Sequence, residues 1–184
     1  IPYSHGWWNS VHTADLDGDG DEDLMLGNLG LNADLKASRD QPVRLYVKDF
    51  DNNGQTDPIL TYYKQGKEYT YATLDELAKQ MPDLRKRYTD YSLFAEQTFE
   101  EVFPPDTREG AEERIAYTFA SAFAVNRGKG QFELQSLPRE AQISPLFAFA
   151  AVDANADGHT DVLAAGNFYG SRPSLGRYDA SYGH

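Results

Sequence analysis

The amino-acid sequence predicts an all-β fold that one helical insertion interrupts. Three acidic segments of nine residues each run directly into a short apolar stretch, which is typical of a strand that leaves a tight loop. Other stretches, such as residues 43–47, alternate in the way expected of a strand. Only residues 73 to 113 change to helical spacing, so we expect the helices to be confined to that segment.

The first acidic segment is loop 1, residues 15–23, and it reads DLDGDGDED. Carboxylates at loop positions 1, 3, 5 and 9 can converge on one hard cation because the glycine at position 6 lets the backbone turn sharply. Ca²⁺ accepts about six to eight oxygen ligands in irregular geometry. The predicted ligands are the side chains of Asp15, Asp17, Asp19 and Asp23 and the backbone carbonyl of Asp21.

Loop 1 begins like an EF-hand loop but ends differently. An EF-hand needs a bidentate glutamate at position 12, and that position holds Leu26. Asp23 leads instead into a short apolar segment that ends at Gly27 and Asn28. We therefore expect a calcium loop between two strands, the first over residues 9–15 and the second over residues 24–28.

The same pattern recurs in loop 2, residues 49–57 (DFDNNGQTD), and in loop 3, residues 153–161 (DANADGHTD). Both copies have oxygen-bearing side chains at positions 1, 3, 5 and 9, glycine at position 6, and a carbonyl ligand expected at position 7. About three calcium ions are therefore predicted in total. The further ligands are Asp49, Asp51, Asn53, Gln55 and Asp57 in loop 2, and Asp153, Asn155, Asp157, His159 and Asp161 in loop 3.

The pattern D-x-[DN]-x-[DN]-G-x-x-D followed by an apolar strand resembles the FG-GAP/VCBS repeat, the unit of integrin-α-like β-propellers and of many secreted bacterial proteins. All three loops match it position by position. Residues 126–132, NRGKGQF, are similar to the N-x-G-x-G-x-F hairpin of VCBS proteins. Residues 64 to 114 have no counterpart in the repeat. The resemblance implies a β-propeller segment of about two to three blades, stapled by calcium, in an extracellular, cell-surface or periplasmic protein.

The position of loop 2 within such a blade has two interpretations. Loops 1 and 2 begin 34 residues apart, which is short for a four-stranded blade. Either the first blade lacks its outer hairpin, or loop 2 joins the outer strands of the same blade. The sequence is compatible with both.

The 184 residues are too few to close a propeller, which needs about four to eight blades. The chain starts at Ile1 without Met or a signal peptide, so we expect a piece of a longer protein with one propeller-like domain over residues 1–184. Its open edges would be covered by the remaining blades or by self-association.

Further elements follow from local patterns. Residues 58–63 and 68–72 predict a hairpin around positions 65–67, and residues 115–125 predict one strand that turns at 126–130 into 132–134. Gly128 and Gly130 can supply positive φ in that turn. Residues 146–152 predict a buried strand into loop 3.

The helical segment is expected to contain three helices. Thr73 with Glu76 is a capping-box signature, and Pro82 ends the first helix and starts a second. The third contains Leu93, Phe94, Gln97 and Val102 and ends before residues 103–105.

The net charge of −12 belongs to the loops, which hold twelve of the 29 acidic residues and no Lys or Arg. The remaining 17 acidic residues face 17 basic ones, and no basic patch with interleaved aromatic residues occurs, so nucleic acid is a poor partner. No run of about 18 apolar residues occurs, so no membrane span is expected.

No nucleophile elbow, H-E-x-x-H pair, P-loop or G-x-G-x-x-G fingerprint occurs in the sequence. The predicted function is a calcium-stabilised, non-catalytic binding or adhesion scaffold with a protein or glycan ligand. The alternative is a carbohydrate-active enzyme, a lyase or hydrolase built on a propeller. A convergent acid, base or aromatic platform away from the loops would distinguish the two, and the sequence identifies none.

Overall fold

The structure is a computed structural model that describes residues 1–171 and 176–184. Strands hold 32% of the residues and helices 16%, and the sheets are antiparallel. The β-rich character is therefore confirmed. The helices, however, do not indicate an all-β class, and the described ranges form no closed propeller or barrel.

The chain divides into two compact units. The discontinuous unit comprises Ile1–Lys36 and Thr118–His184, and the continuous unit comprises Ala37–Tyr117. The continuous unit therefore extends beyond both ends of the predicted helical insertion over residues 73–113. It includes strands as well as helices.

Strands precede and follow a run of short helices along the described residues. The strands are β1 (Ser10–Ala14), β2 (Asp23–Gly27), β3 (Val43–Lys48), β4 (Asp57–Lys64), β5 (Lys67–Thr70), β6 (Glu112–Ala116), β7 (Ala122–Asn126), β8 (Phe132–Ser136), β9 (Ala148–Val152) and β10 (Asp161–Ala165). The helices are α1 (Leu74–Gln80), α2 (Asp83–Arg87), α3 (Tyr91–Ala95), α4 (Phe99–Val102) and α5 (Pro105–Arg108), with a 3-10 turn at Arg139–Gln142. Every one of these helices is too short to cross a membrane.

The main sheet of the discontinuous unit has the strand order β1-β2-β7-β8. β2 pairs with β7 although the continuous unit lies between them in sequence, with Leu26 opposite Ala122. Successive residues of a strand point to opposite sides of its sheet. Ala124 lies opposite Leu24 and not opposite Met25, so Met25 and Ala124 lie on opposite faces, and both are fully buried. Both faces of this sheet are therefore covered at its two central strands, β2 and β7.

The second sheet of this unit contains only β9 and β10. The prediction of a buried strand over residues 146–152 is wrong for most of that segment. Leu146 is buried, but Val152 is 43% exposed and Leu163 on β10 is 53% exposed. The reason is that a two-stranded sheet lacks neighbouring strands to cover it. On the side of β10 away from β9, Ala164 exchanges two backbone hydrogen bonds with His184, of 2.7 and 2.9 Å.

Two Gly-Asn pairs, at residues 27–28 and 166–167, end β2 and follow β10. Neither glycine leaves room for a side chain, because an added Cβ would overlap the backbone of residues 145–146. Asn28 and Asn167 each contact the serine of an Ala-Ser pair further along the chain. The backbone N–H of Asn28 donates to Ser121 Oγ at 3.0 Å, and Asn167 Nδ2 donates to the carbonyl of Ser181 at 3.0 Å. The discontinuous unit therefore contains a similar connection twice.

The sheet of the continuous unit has the order β5-β4-β3-β6. The predicted hairpin at its edge is confirmed: β4 and β5 meet at Gln65 and Gly66, whose φ values of +52° and +79° suit a tight turn. One face of the sheet contributes Tyr46 and Ile59 to a core that the helices complete. The helical members of this core and their neighbours are Leu74, Leu77, Met81, Leu84, Tyr88, Phe99, Val102 and Phe103.

The capping box of Thr73 and Glu76 is confirmed, and a second one, of Thr98 and Glu101, begins α4. The predicted third helix is therefore two helices, α3 and α4, because the Thr98 cap starts a new turn. The short helix α5 was not expected from the sequence.

Two further predictions are wrong for one reason, which is that the continuous unit separates β2 from β7 in sequence. Residues 115–125 do not form one strand, since β6 and β7 belong to different sheets. Loop 2 joins two strands of its own sheet, so it does not join the outer strands of the first sheet. That first sheet does not lack outer strands either, because β7 and β8 supply them.

Candidate metal centre

Each acidic loop connects two neighbouring antiparallel strands. Loop 1 joins β1 to β2, loop 2 joins β3 to β4, and loop 3 joins β9 to β10. No helix follows any of the three loops directly. The prediction of a loop between two strands, as opposed to an EF-hand, is thereby confirmed for all three copies.

All three loops share one set of internal hydrogen bonds. The position 1 carboxylate accepts from the N–H of the position 6 glycine, at 3.1, 2.8 and 3.0 Å in loops 1 to 3. The position 9 carboxylate accepts from the N–H at position 2, at 3.0 Å in every loop. The position 5 side chain accepts from the N–H at position 7, at 2.9, 2.7 and 2.8 Å. The loops therefore curl in the same way around their oxygen atoms.

The backbone has positive φ at two places in each loop. Position 6 is glycine in every copy, with φ of +91°, +85° and +85°. Position 4 is also left-handed, in Gly18, Asn52 and Ala156, with φ of +79°, +58° and +60°. Only the turn at position 6 was expected from the sequence. Gly18 and Asn52 were a usable signal for position 4, since both residue types adopt this conformation readily.

Two of the loops gather carboxylates that could hold a metal ion. The ligand atoms of Asp15, Asp17 and Asp19 lie within 4.8 Å of one another, and so do those of Asp49, Asp51 and Asp57. Oxygen ligands at this density suit a hard cation such as Ca²⁺. The structure thus brings together three of the predicted side-chain ligands in each of loops 1 and 2.

Loop 3 forms no comparable cluster of three acidic groups within the described ranges. Its position 3 is Asn155, which replaces a carboxylate by an amide. Asn155 Nδ2 donates to Asp157 Oδ2 at 2.8 Å. The amide therefore hydrogen-bonds to the Asp157 carboxylate at a position where the other two loops have a second carboxylate. The carbonyl ligands predicted at position 7, namely Asp21, Gln55 and His159, stay predictions.

Asp57 is the buried carboxylate of loop 2. The residue is only 2% exposed, and burial is the main cause that raises the pKa of its carboxyl group. The N–H of Phe50 opposes the shift by donating to the carboxylate, whereas the charges of Asp51 and Asp49 add to it. A bound cation would remove this repulsion.

The β7–β8 hairpin, which carries the NRGKGQF segment, contacts loop 1. The N–H of Asn126 donates to Asp23 Oδ1 at 2.7 Å, and Asn126 Nδ2 donates to the carbonyl of Glu22 at 3.2 Å. Arg127 lies 3.6 Å from the Asp17 carboxylate. The predicted positive φ of Gly128 and Gly130 is confirmed, at +74° for both.

An aromatic feature that was not predicted from the sequence lies in the continuous unit, on the β4–β5 hairpin and α3. Tyr62, Tyr69, Tyr71 and Tyr91 are among the residues that line a cleft of about 350 Å³. The signal was present in the sequence as tyrosines on either side of the predicted hairpin turn. No lining residue among those the structure describes is a carboxylate, a histidine or a lysine.

Comparisons of the chain with protein-family models, curated proteins and solved structures gave no match. The resemblance to FG-GAP/VCBS repeats therefore stays a prediction from the loop and hairpin motifs.

Proposed function

We propose that this chain is a calcium-stabilised, non-catalytic binding scaffold built from FG-GAP/VCBS-like repeats of an exported or cell-surface protein. The observation that carries the proposal is the hydrogen-bond pattern shared by loops 1, 2 and 3. Three unrelated acidic turns would have no reason to place the same oxygens on the same backbone N–H groups. A common ligand supplies that reason.

Calcium is the cation that suits these loops. The donor atoms are carboxylate and amide oxygens, without sulfur or imidazole ligands at the side-chain positions. Sites of this kind in extracellular modules bind with Kd of roughly 10⁻⁴ to 10⁻³ M. At about ten times Kd, each filled site stabilises the fold by about 1.4 kcal/mol, so three sites contribute about 4 kcal/mol.

The sheets of the discontinuous unit support a propeller arrangement. In this proposal β1, β2, β7 and β8 form one blade, and β9 and β10 form the first half of the next. The backbone pair of Ala164 and His184 then marks the third strand of that second blade. Each blade begins with a calcium loop between its first two strands.

Two segments support the same arrangement, one from Asn28 to the Ala120-Ser121 pair and one from Asn167 to the Ala180-Ser181 pair. Their different lengths also explain where the continuous unit is inserted. Between Asn28 and Ala120 there are 91 residues, whereas 12 residues separate Asn167 from Ala180. The continuous unit thus enters the first blade where the second blade has a short connection. We infer that the insertion is the whole of Ala37–Tyr117, including its sheet and loop 2.

The test is thermal unfolding of the intact chain in calcium and in chelator, with one variant per loop. Asp17→Ala, Asp51→Ala and Asp157→Ala should each remove one ion by calorimetry and lower Tm in calcium, with little effect in chelator. Asp40→Ala, an exposed aspartate outside the loops, is the control and should change neither quantity. A Tm that does not respond to chelation, or calorimetry without bound calcium, would overturn the proposal.

A further inference from the structure

The aromatic cleft of the continuous unit has the features of a ligand site. Its volume of about 350 Å³ falls within the range of roughly 300 to 1,000 Å³ that small-ligand sites occupy. The cleft lies between one face of the β4–β5 hairpin and the short helix α3. Its lining residues are Tyr62, Tyr69, Thr70, Tyr71, Ala72, Thr73, Leu74, Tyr91, Phe94, Ala95 and Gln97.

Three of the tyrosines form a continuous surface on the hairpin. Tyr62 and Tyr69 are directly opposite each other across the two strands, so their side chains leave the same face. Tyr71 follows two residues after Tyr69 and remains paired, because its N–H donates to the carbonyl of Leu60 at 2.8 Å. The rings of Tyr62 and Tyr71 meet edge to face, with centroids 5.7 Å apart. Pairing and ring packing therefore fix the orientation of this surface.

The fourth tyrosine, Tyr91 on α3, is 56% exposed and yet held in place. Its hydroxyl lies 3.1 Å from both carboxylate oxygens of Asp75, and Arg85 donates to the same hydroxyl at 2.7 Å. The guanidinium of Arg85 also lies over the Tyr91 ring, 4.8 Å from its centroid, and pairs with Asp75. An exposed ring that is fixed before any ligand arrives loses little conformational freedom on binding.

The polarity of the cleft limits the class of ligand. No residue of the described lining carries a formal charge, although the chain has a net charge of −12. The hydroxyls of Tyr62 and Tyr69 make no hydrogen bond within the described part of the chain and can serve a ligand. The cleft therefore offers flat apolar ring faces together with neutral hydrogen-bonding groups.

We propose that this cleft binds a neutral carbohydrate. A pyranose ring has an apolar face of C–H groups that packs on a tyrosine ring and a rim of hydroxyls that bonds to tyrosine hydroxyls and to Gln97. A phosphorylated or carboxylated ligand would find no cationic partner in the described lining. The inference deepens the proposed function, because it assigns a ligand class to the binding scaffold.

The absence of paired carboxylates in the described lining makes this a binding site and not a hydrolytic one, since glycoside hydrolysis generally uses two carboxyl groups about the scissile bond. Asp75 is near the cleft, but its oxygens are engaged by Tyr91 and Arg85. Retention of the sugar, without cleavage, is the expected outcome.

The test is affinity electrophoresis of the intact chain, in calcium, through gels that contain soluble neutral polysaccharides: β-glucan, xylan, mannan or galactan. At least one of these should retard the wild-type chain. Tyr91→Ala and Tyr69→Ala should each weaken retardation by about tenfold or more in apparent affinity, because each removes a stacking face. Tyr91→Phe keeps the ring and should weaken it only a few-fold.

The matched control is Tyr169→Ala, because Tyr169 is similarly exposed but belongs to the discontinuous unit. This variant should bind like wild type. Circular dichroism shows whether each variant is folded. If an Ala variant is not folded, Tyr69→Phe and Tyr91→Phe take its place and keep the test decisive. Three results would overturn the inference. The first is that none of the four polysaccharides retards the chain, and the second is that the cleft variants are retarded like wild type. The third is tyrosine-dependent binding of a proline-rich peptide and of no polysaccharide.

Failure of this inference is separable from failure of the calcium proposal. Calcium-dependent Tm without any polysaccharide binding contradicts only the carbohydrate site. Tyrosine-dependent binding that persists while chelator leaves Tm unchanged contradicts only the calcium scaffold.

Discussion

The buried carboxylate of Asp23 accepts a hydrogen bond of 2.7 Å from the N–H of Asn126, which is 103 residues further along the chain. Its other oxygen accepts from the N–H of Leu16 at 3.0 Å and closes loop 1. One side chain thus links the loop to itself and to the end of β7. Asp23 is not among the three carboxylates that cluster in loop 1, so this role does not require an ion.

Asp23→Ala should therefore destabilise the discontinuous unit even in chelator. The change leaves the N–H groups of Leu16 and Asn126 without acceptors, at an expected cost of about 2 to 4 kcal/mol in the free energy of unfolding. Urea denaturation in chelator measures it. Asp17→Ala is the control, since it removes a metal-cluster carboxylate, and its loss should occur in calcium only. Equal behaviour of the two variants in chelator would contradict the structural role of Asp23.

Ala156→Gly should stabilise loop 3. Ala156 has a φ of +60°, a conformation that costs a residue with a Cβ about 1 kcal/mol and costs glycine almost nothing. Tm should therefore rise in both calcium and chelator. Asn52→Gly should give a smaller rise, because asparagine tolerates this conformation better. Ala154→Gly, at a position without positive φ, should lower Tm, and a rise there would show that backbone strain is not the cause.

Asn28→Ala should cost more stability than Asn167→Ala. Asn28 is fully buried, and its Nδ2 donates to the carbonyls of Thr118 and Ala120 at 3.2 and 3.3 Å. Removal leaves these buried acceptors unpaired, for which we expect about 2 to 4 kcal/mol. Asn167 is partly exposed, so water can replace its contacts. Chemical denaturation of both variants, with the exposed Asn9→Ala as control, tests the difference, and a larger loss at Asn167 would contradict it.

The continuous unit should lose stability in alkali through Tyr46. Burial, followed by the charges of Glu68 and Glu113, raises the pKa of the Tyr46 hydroxyl from 10.0 to about 12. Because the folded state holds this proton more tightly than the unfolded state, the contribution to stability is complete below pH 10 and is lost between pH 10 and about 12. The free energy of unfolding of the Tyr46→Phe variant should therefore fall less steeply as the pH rises through this range. An unchanged pH profile would show that Tyr46 is not the responsible group.

The parts of the fold that depend on neighbouring residues were predictable from sequence. The strands beside each loop, the Thr73 cap and the turn at Gln65 and Gly66 are confirmed, because each is determined within about ten residues. The carboxylate cluster of loop 1 followed in the same way, since the spacing itself brings Asp15, Asp17 and Asp19 together.

The parts that depend on distant pairing were not predictable. Nothing local in β2 indicates that its neighbour is β7, and nothing in residues 115–125 indicates that they change sheets. The exposure of Val152 reflects a sheet that has only two strands within the described residues, and no pattern within β9 encodes the number of strands in its sheet. The tyrosine cleft was not predictable for a related reason, since Tyr91 joins the hairpin tyrosines only through the packing of α3.

The pairing of β2 with β7 also constrains the order of folding. About 95 residues separate the end of β2 from the start of β7, and the entropy of closing so long a loop delays the pairing. The β1–β2 hairpin alone is only marginally stable during synthesis. Folding of Ala37–Tyr117 as a contiguous segment removes most of this loop's freedom before β7 is available. Substitutions that slow the folding of the continuous unit should therefore delay completion of a sheet to which that unit contributes no strand.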